Sequence, residues 1–276
     1  MSEHVLVIGA TGKTGSALAR QLRGKGVSVR AATRTPRAAG DVRFDWRDAS
    51  TFEAALDGAR GGVYLVAPTD TAEPLELMRP FLEKAADRRL VLLSSSSLPK
   101  GGPMMGAVHA WLAAHCEDFA VLRPSWFMQN FVTQHLDGIR QDGAIYSATG
   151  DGRVGFIDAE DIAAVAAAML TRSEALGGAE PILTGPRTLS YDDVARAITE
   201  ASGRAVRHVR LTVEELARRY EGYGLPPGYA ATLAALDDGI ANGVEDRVTD
   251  EVEHWTKRSP NDLHSFLATH AEMLRE

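Results

Sequence analysis

The chain has 276 residues, of which 45% are hydrophobic and 24% are charged, and its formal net charge is −7. This size suits one α/β domain with a smaller lobe, and the lack of a basic excess argues against a nucleic-acid partner. The single cysteine, Cys116, excludes an intramolecular disulfide framework, and we find no signal-like start and no apolar run of membrane-spanning length. We therefore expect a cytoplasmic protein without a membrane or nucleic-acid partner.

A glycine-rich turn follows the first apolar run of the chain, residues 5–8, and leads into a helical pattern. A strand that ends where a helix begins directs the first helical N–H groups at one point, where the helix dipole favours an anion. Glycine is required there because a Cβ would keep a diphosphate away from the backbone, or prevent the helix from packing on its strand. The turn therefore predicts dinucleotide binding, with the contacts made by Gly9, Thr11, Gly12, Lys13, Thr14 and Gly15.

Short apolar runs then alternate with helical patterns. Strands are predicted at 27–32, 62–66, 90–93 and 119–122, and helices at 75–86 and 108–116. Ser50 with Glu53 reads as a capping box that opens a further helix. This alternation predicts an α/β fold, a Rossmann-type doubly wound parallel sheet, in which ligands bind outside the C-terminal ends of the strands.

The end of the second predicted strand indicates which dinucleotide is bound. An NAD-binding protein usually has an acidic residue here that accepts hydrogen bonds from the ribose hydroxyls, whereas a 2′-phosphate calls for arginine. Residues 28–40 contain no acid but include Arg30, Arg34 and Arg37. We expect Arg34, just past the strand, to contact the 2′-phosphate of NADP, and Asp45 after the third strand to reach the adenine amino group.

Three later strand ends supply the remaining candidate residues. Ala67 and Pro68 form a turn suited to pack against the nicotinamide. The hydroxyls of Ser94 and Ser95 are placed to form hydrogen bonds with its ribose or with a substrate carbonyl. Directly after the sixth strand come three residues predicted to bind substrate. An aromatic face can hold a cation by cation–π attraction while an amide fixes orientation, and these substrate-binding residues are Trp126, Phe127 and Asn130.

At this point the chain resembles a known family. The glycine turn, Arg34 and residues 122–131 (LRPSWFMQNF) resemble the NmrA-like group of atypical short-chain dehydrogenases. Residues 108–112 (VHAWL), 156–163 (FIDAEDIA) and 183–186 (LTGP) resemble the branch of ergot alkaloid proteins that includes the agroclavine and festuclavine dehydrogenases. The resemblance covers essentially the whole chain. It implies an NADP-binding Rossmann core with a small C-terminal substrate lobe and, for the branch, a reductase acting on an iminium-type substrate.

One departure from ordinary short-chain dehydrogenases bears on the chemistry. Those enzymes pair a tyrosine with a lysine four residues later, which lowers the tyrosine pKa so that it can pass a proton. No tyrosine of this chain has that lysine; the tyrosines are Tyr64, Tyr146, Tyr191, Tyr220, Tyr223 and Tyr229. Two readings follow: a non-catalytic NADP-binding redox sensor, or an enzyme whose reaction needs no strong general acid.

We expect the second reading, an NADPH-dependent oxidoreductase that transfers hydride to an iminium, an imine or a conjugated double bond of a small, secondary-metabolite-like substrate. Adding hydride to C=N⁺ gives a neutral amine directly, so no proton donor is needed. Quinone or enone reduction is a further alternative, with His109 or Ser95 as the proton donor, although a lone histidine on a helix is more often a satisfied interfacial residue. No residue spacing predicts a metal site.

The second half of the chain changes character. We assign residues 1–183 to the dinucleotide-binding domain, with residues 127–154 contributing to the substrate lobe, and residues 184–276 to a mainly helical lobe that caps the nicotinamide. Helices are predicted to open at Asp158 with Asp161, and at capping boxes formed by Ser190 with Asp193 and Thr212 with Glu215. The charged run 245–258 reads as a solvated helix face. The oligomeric state, monomer or homodimer, is open.

Overall fold

The computed structural model describes residues 3–275, and the chain in it divides into two compact units. Unit 1 comprises the residues up to 124 together with 159–183 and 251–258. Unit 2 comprises 125–158, 184–250 and the residues from 259 onward. Each unit is thus assembled from three separate stretches of sequence. The predicted domain division at residue 184 stays a prediction.

Unit 1 is built on one parallel sheet of seven strands. The strands of both units together, within residues 3–275, are β1 (Val5–Ile8), β2 (Val29–Thr33), β3 (Val42–Arg43), β4 (Val63–Val66), β5 (Leu90–Leu93), β6 (Phe119–Pro124), β7 (Ala144–Ser147), β8 (Arg153–Val154), β9 (Ile182–Leu183), β10 (Leu189–Ser190) and β11 (Arg207–Arg210). The order in the large sheet is β3-β2-β1-β4-β5-β6-β9, and every neighbouring pair is parallel. The predicted Rossmann-type sheet is confirmed. The edge strand β9 was not predicted.

Helices complete both units. Within residues 3–275 they are α1 (Lys13–Gly24), α2 (Phe52–Leu56), α3 (Pro74–Ala85), α4 (Met105–His115), α5 (Ala159–Thr171), α6 (Tyr191–Ser202), α7 (Val213–Gly222), α8 (Pro227–Ala241), α9 (Glu251–Thr256), α10 (Leu263–Thr269) and α11 (Ala271–Arg275). In unit 1, α5 packs against both α1 and α9. Over residues 3–275, no helix combines the length and the apolar character that a membrane span requires.

The core of unit 1 contains a cluster of aromatic rings beside the sheet. Phe44 and Phe52 stack with ring centroids 5.5 Å apart, and Phe81 meets both rings edge-on at 5.2 and 5.4 Å. Such edge-to-face pairs add to the hydrophobic stabilisation that burial alone provides. Cys116 belongs to the same core, and burial raises the pKa of its thiol to about 11. The thiol is therefore a structural, unreactive group.

The predicted capping box at Ser50 and Glu53 is wrong. The side chain of Asp48 accepts a hydrogen bond from the Ser50 N–H and caps a short 3₁₀ turn, Ala49–Thr51, that leads into α2. The Ser50 hydroxyl itself donates to Asp48 Oδ1 at 2.5 Å. An aspartate two positions earlier therefore takes the capping role that the pattern gave to the serine.

In unit 2, by contrast, both predicted capping boxes are present. Ser190 and Asp193 exchange side-chain and backbone hydrogen bonds at the start of α6, and Thr212 and Glu215 do the same at α7. Helix α6 ends at Gly203, whose φ of 74° is the left-handed conformation that favours glycine at a helix end. Local sequence signals therefore fix these two helices.

The charged run 245–258 is not one solvated helix face. Helix α9 begins only at Glu251, and the side chain of Glu245 is just 1% exposed. Its carboxylate accepts a hydrogen bond from the Ser125 hydroxyl at 3.1 Å and lies 3.3 Å from the Arg247 guanidinium. A buried carboxylate needs such partners to offset its lost hydration. Glu245 is therefore a structural anchor of unit 2.

A second buried acid joins α8 to β7. The Asp237 carboxylate is 6% exposed and accepts a hydrogen bond from the Ala148 N–H at 2.8 Å, beside the small apolar cluster of Leu216 and Ala234. Burial raises the pKa of Asp237 from 3.8 to about 6, and the Ala148 N–H opposes this only in part. Folding therefore favours the protonated acid relative to the unfolded chain.

This preference makes the stability of the protein depend on pH at Asp237. Because its pKa is raised on folding, the free energy of unfolding should fall as the pH rises from about 4 to above 6. Asp237→Asn keeps an acceptor for the Ala148 N–H without the charge, so we expect it to gain about 2–3 kcal/mol at pH ~8 and little at pH ~5. Urea unfolding at both pH values measures this, with the exposed neighbour Asp238→Asn as control. A less stable Asp237→Asn at the higher pH would contradict it.

Candidate coenzyme and substrate site

The turn between β1 and α1 has the shape that a diphosphate site needs. Gly9 has a φ of 73°, and the Gly12 N–H donates to the Gly9 carbonyl oxygen at 2.9 Å. A Cβ on Gly15 would lie 2.2 Å from that same oxygen, and one on Gly9 would lie 3.1 Å from the Val66 Cβ. The first helical turn therefore packs on the end of β1 at a distance that only glycine permits.

The N-terminus of α1 is open to an anion. Its N-cap residue is Gly12, which has no side chain to cap the helix, and no acidic residue lies in the first turn. Thr11, Gly12 and Lys13 are exposed. The positive end of the helix dipole is thus left for a ligand rather than for a side chain of the helix, and these residues fit the diphosphate of a dinucleotide.

Thr14 is the exception among the predicted turn residues, because its side chain faces the sheet. It is 4% exposed, and its hydroxyl oxygen accepts a hydrogen bond from the Tyr64 hydroxyl at 3.0 Å. Burial raises the Tyr64 pKa well above its ordinary value, so the phenol stays neutral. This buried bond fastens α1 to β4. A tyrosine within the apolar run of β4 was the sequence signal for it, and the sequence analysis missed it.

Arg34 is exposed and directly follows the last residue of β2. The other two arginines of this region are arranged differently. Arg30 donates to the carbonyl oxygens of Ala54 and Asp57 at 3.1 and 2.8 Å, and the Arg37 N–H donates to the Asp41 carboxylate at 3.0 Å. Arg34 therefore stands at the strand end where a 2′-phosphate would be recognised.

At the end of β3, the candidate Asp45 is half-buried and already accepts a hydrogen bond from the Arg47 N–H at 3.0 Å. Its neighbour Trp46 donates from Nε1 to the Val66 carbonyl oxygen at 3.1 Å. This bond joins the end of β3 to the end of β4, directly before the predicted wall residues. Of these, Ala67 is 8% exposed and Pro68 is half-buried.

The serines after β5 differ from one another. The Ser94 hydroxyl is buried and, among the described residues, has no hydrogen-bond partner. The Ser95 hydroxyl lies 3.0 Å from that of Ser97. A buried hydroxyl without a partner is costly, so Ser94 is the residue of this pair that a bound ribose or amide would satisfy.

His109 lies inside unit 1 on α4 and is 2% exposed. Its Nε2 is 3.8 Å from the Glu180 carboxylate, which also meets the Arg123 guanidinium at 3.3 Å. Burial lowers the His109 pKa, and Glu180 opposes this only in part, so the ring favours its neutral form. Its Nδ1 is also buried and has no hydrogen-bond partner among the described residues, and the role of proton donor stays a prediction.

The predicted substrate residues lie in unit 2, whereas all the candidate coenzyme residues lie in unit 1. Trp126, Phe127 and Asn130 are each half-buried, whereas Met128 and Phe131 between and beside them are buried. The segment thus places Met128 and Phe131 in the core of unit 2 and leaves the predicted binding residues partly exposed. Trp126 also packs against that core.

Comparison with known proteins agrees with this geometry. Residues 5–97 match the model of the family described as "NAD dependent epimerase/dehydratase family". The chain is 41% identical to the uncharacterized oxidoreductase YesF of Bacillus subtilis, covering 97% of this chain and 95% of the relative. It is 39% identical to agroclavine dehydrogenase of Claviceps purpurea, covering 95% of each protein. The chain belongs to the same family as these oxidoreductases.

Membership of this family makes the chain an NAD(P)-dependent oxidoreductase. The fold agrees: the Escherichia coli NADPH-dependent quinone oxidoreductase QOR2 superposes with a TM-score of 0.82 at 20% identity, over 96% of this chain and 99% of that one. The sequence-based assignments of family, fold and enzyme class are therefore confirmed. The individual site residues stay predictions.

The contact between Gly15 and Gly9 yields a direct test of the coenzyme site. Gly15→Ala places a Cβ against backbone that has no room to give, and overpacking of this kind costs about 1–3 kcal/mol. We expect NADPH affinity to fall by roughly tenfold or more, measured by fluorescence titration. Gly24→Ala is the matched control, because a Cβ there meets nothing within 4 Å. Equal affinities of the two variants would show that the turn does not hold the coenzyme.

Proposed function

We propose that this protein is an NADPH-dependent reductase that transfers hydride to an iminium, an imine or a conjugated double bond of a small molecule. The β1–α1 turn carries the proposal, because its close packing leaves the amides of α1 directed at one exposed point. The backbone amides of Thr11 and Lys13 would hold the diphosphate there. When bound, the coenzyme supplies the hydride.

The preference for NADPH rests on Arg34. A guanidinium recognises a phosphate through paired, charge-assisted hydrogen bonds, and an exposed arginine at the end of β2 replaces the acid that an NAD-binding protein would carry there. Asp45, half-buried at the next strand end, is assigned to the adenine.

Arg34→Glu tests this preference. Loss of a charge-assisted hydrogen bond costs about 1.5–3 kcal/mol, so NADPH affinity should fall roughly 10- to 100-fold, whereas NADH affinity should hardly change. Arg37→Glu makes the same charge change three residues away and is the control for long-range repulsion. Titration of each variant with both coenzymes measures the effect. Equal weakening of NADPH and NADH by Arg34→Glu would contradict the assignment.

The proposal of an iminium acceptor rests on the absence of a tyrosine–lysine pair that could donate a proton. No tyrosine is followed four residues later by lysine, and both Tyr64 and Tyr191 are buried phenols whose pKa burial raises further. Hydride addition to C=N⁺ forms one C–H bond, moves the π electrons onto nitrogen and needs no proton. What remains for the protein is to orient the two reactants and exclude water.

The candidate residues of each unit have separate roles in this task. In unit 1, Ala67 and Pro68 would wall the nicotinamide, and Ser94 and Ser95 would bond its ribose or amide. In unit 2, the half-buried rings of Trp126 and Phe127 would hold a cationic substrate by about 0.5–2 kcal/mol of cation–π attraction. The family relationship to agroclavine dehydrogenase supports a small, secondary-metabolite-like substrate.

A spectrophotometric assay of NADPH oxidation tests the proposal. The acceptors are N-methyldihydroisoquinolinium as the iminium, a cyclic imine, menadione as the quinone and cyclohexenone as the enone. We expect the iminium to be reduced fastest and His109→Ala to leave its reduction unchanged. Quinone or enone reduction that is lost in His109→Ala would favour the alternative in which His109 donates a proton. Tight NADPH binding without oxidation by any acceptor would favour a redox sensor.

A further inference from the structure

The segment that carries the proposed substrate residues is held by a short backbone ladder. The Met128 N–H donates to the Ile157 carbonyl oxygen at 2.8 Å, and the Ile157 N–H donates to that of Trp126 at 2.9 Å. These two bonds form a parallel bridge between Phe127 and Ile157. Beyond the bridge the segment continues as a 3₁₀ turn, Met128–Val132, whose geometry gives weaker internal hydrogen bonds than an α-helix. Side-chain contacts must therefore fix how the turn is oriented.

Asp158 provides such a contact, from the position next to the bridge. It is 6% exposed, and its Oδ1 accepts a hydrogen bond from Gln129 Nε2 at 2.6 Å. Its Oδ2 accepts a second one from Asn261 Nδ2 at 3.1 Å. One buried carboxylate thus connects Gln129 and Asn261, which lie in two different stretches of unit 2.

This arrangement affects the orientation of the segment that carries the proposed substrate residues. Gln129 lies between the substrate candidates Phe127 and Asn130, and Trp126 is held by the bridge on the other side. A charged acceptor binds an amide more strongly than a neutral one does and at a shorter distance, so Asp158 restrains the Gln129 side chain closely. Fixing Gln129 fixes the turn from which the neighbouring side chains project.

We propose that Asp158 is a positioning residue, which through Gln129 sets the orientation of Trp126, Phe127 and Asn130 toward the substrate. The proposal rests on the function proposed above, in which those three residues bind the acceptor. Asp158 itself touches no reacting group in this assignment. Its effect should therefore appear in acceptor binding and not in coenzyme binding.

The kinetic test uses Gln129→Ala and Asp158→Ala with N-methyldihydroisoquinolinium and NADPH. Misplacement of binding groups by about 1 Å can cost up to ~100-fold, so we expect the KM for the iminium to rise roughly 10- to 100-fold. The KM for NADPH should stay within about twofold, since the coenzyme candidates lie in unit 1. The double variant should be no worse than Asp158→Ala, because both changes remove the same contact.

Two further variants separate positioning from stability. Asp262→Ala removes the cap of α10, where the carboxylate accepts from the Ser265 N–H at 2.9 Å, and should lower the thermal midpoint while leaving both KM values unchanged. Asp158→Asn turns one acceptor into a donor facing Asn261, and adding Asn261→Asp exchanges the donor and acceptor. This pair should restore the iminium KM that Asp158→Asn alone raises.

The outcomes are distinct. An unchanged iminium KM in Gln129→Ala and Asp158→Ala, with turnover by the unmodified protein, would overturn the role of Asp158 alone. If both variants raise the KM for the iminium and the KM for NADPH together and also lose thermal stability, the role of Asp158 is overturned as well, because these changes indicate a general loss of structure. No turnover of any acceptor by the unmodified protein would overturn the proposed function, and this inference with it.

Discussion

The distance between Gly15 and the carbonyl oxygen of Gly9 is the constraint on which the coenzyme site depends. With a Cβ on Gly15 only 2.2 Å from that oxygen, the first turn of α1 has no alternative placement that would tolerate a larger residue. The close packing brings the helix N-terminus to the end of β1, and the buried Tyr64–Thr14 hydrogen bond holds it there from the side of β4. An anion site made of backbone amides needs this rigidity, because amides that could move would lose most of their advantage over water.

A sheet of this kind also explains why the candidate residues are spread along the sequence. Arg34, Ala67 and Ser94 are each separated by tens of residues, yet each follows the C-terminal end of a strand in the same parallel sheet. The Trp46–Val66 hydrogen bond also joins the segment after β3 to the end of β4. At the end of β5, the buried Ser94 hydroxyl is a polar group that the described residues leave unsatisfied.

Much of the fold could be predicted from the sequence because the signals were local. Apolar runs marked the strands, and the boxes at Ser190 and Thr212 marked their helices. The failures were not local. Ser50 lost its capping role to Asp48, two residues away, and the two-residue strand β9 is too short to leave a pattern. Glu245 lies in a run of charges, so only the fold reveals that Ser125 and Arg247 enclose it. In the site, the glycine turn and Arg34 could be read from spacing, whereas the inward direction of Thr14 and the burial of His109 required the packing.

The path of the chain through its two units has a consequence for how such a protein can change. Each unit draws on three stretches of sequence, so the backbone passes from one to the other repeatedly. No single cut separates the two units, because any fragment that contains the whole of one also contains parts of the other, and neither can be transplanted as a module in the way that a tandem domain can. Either unit can therefore change only while the chain as a whole continues to fold.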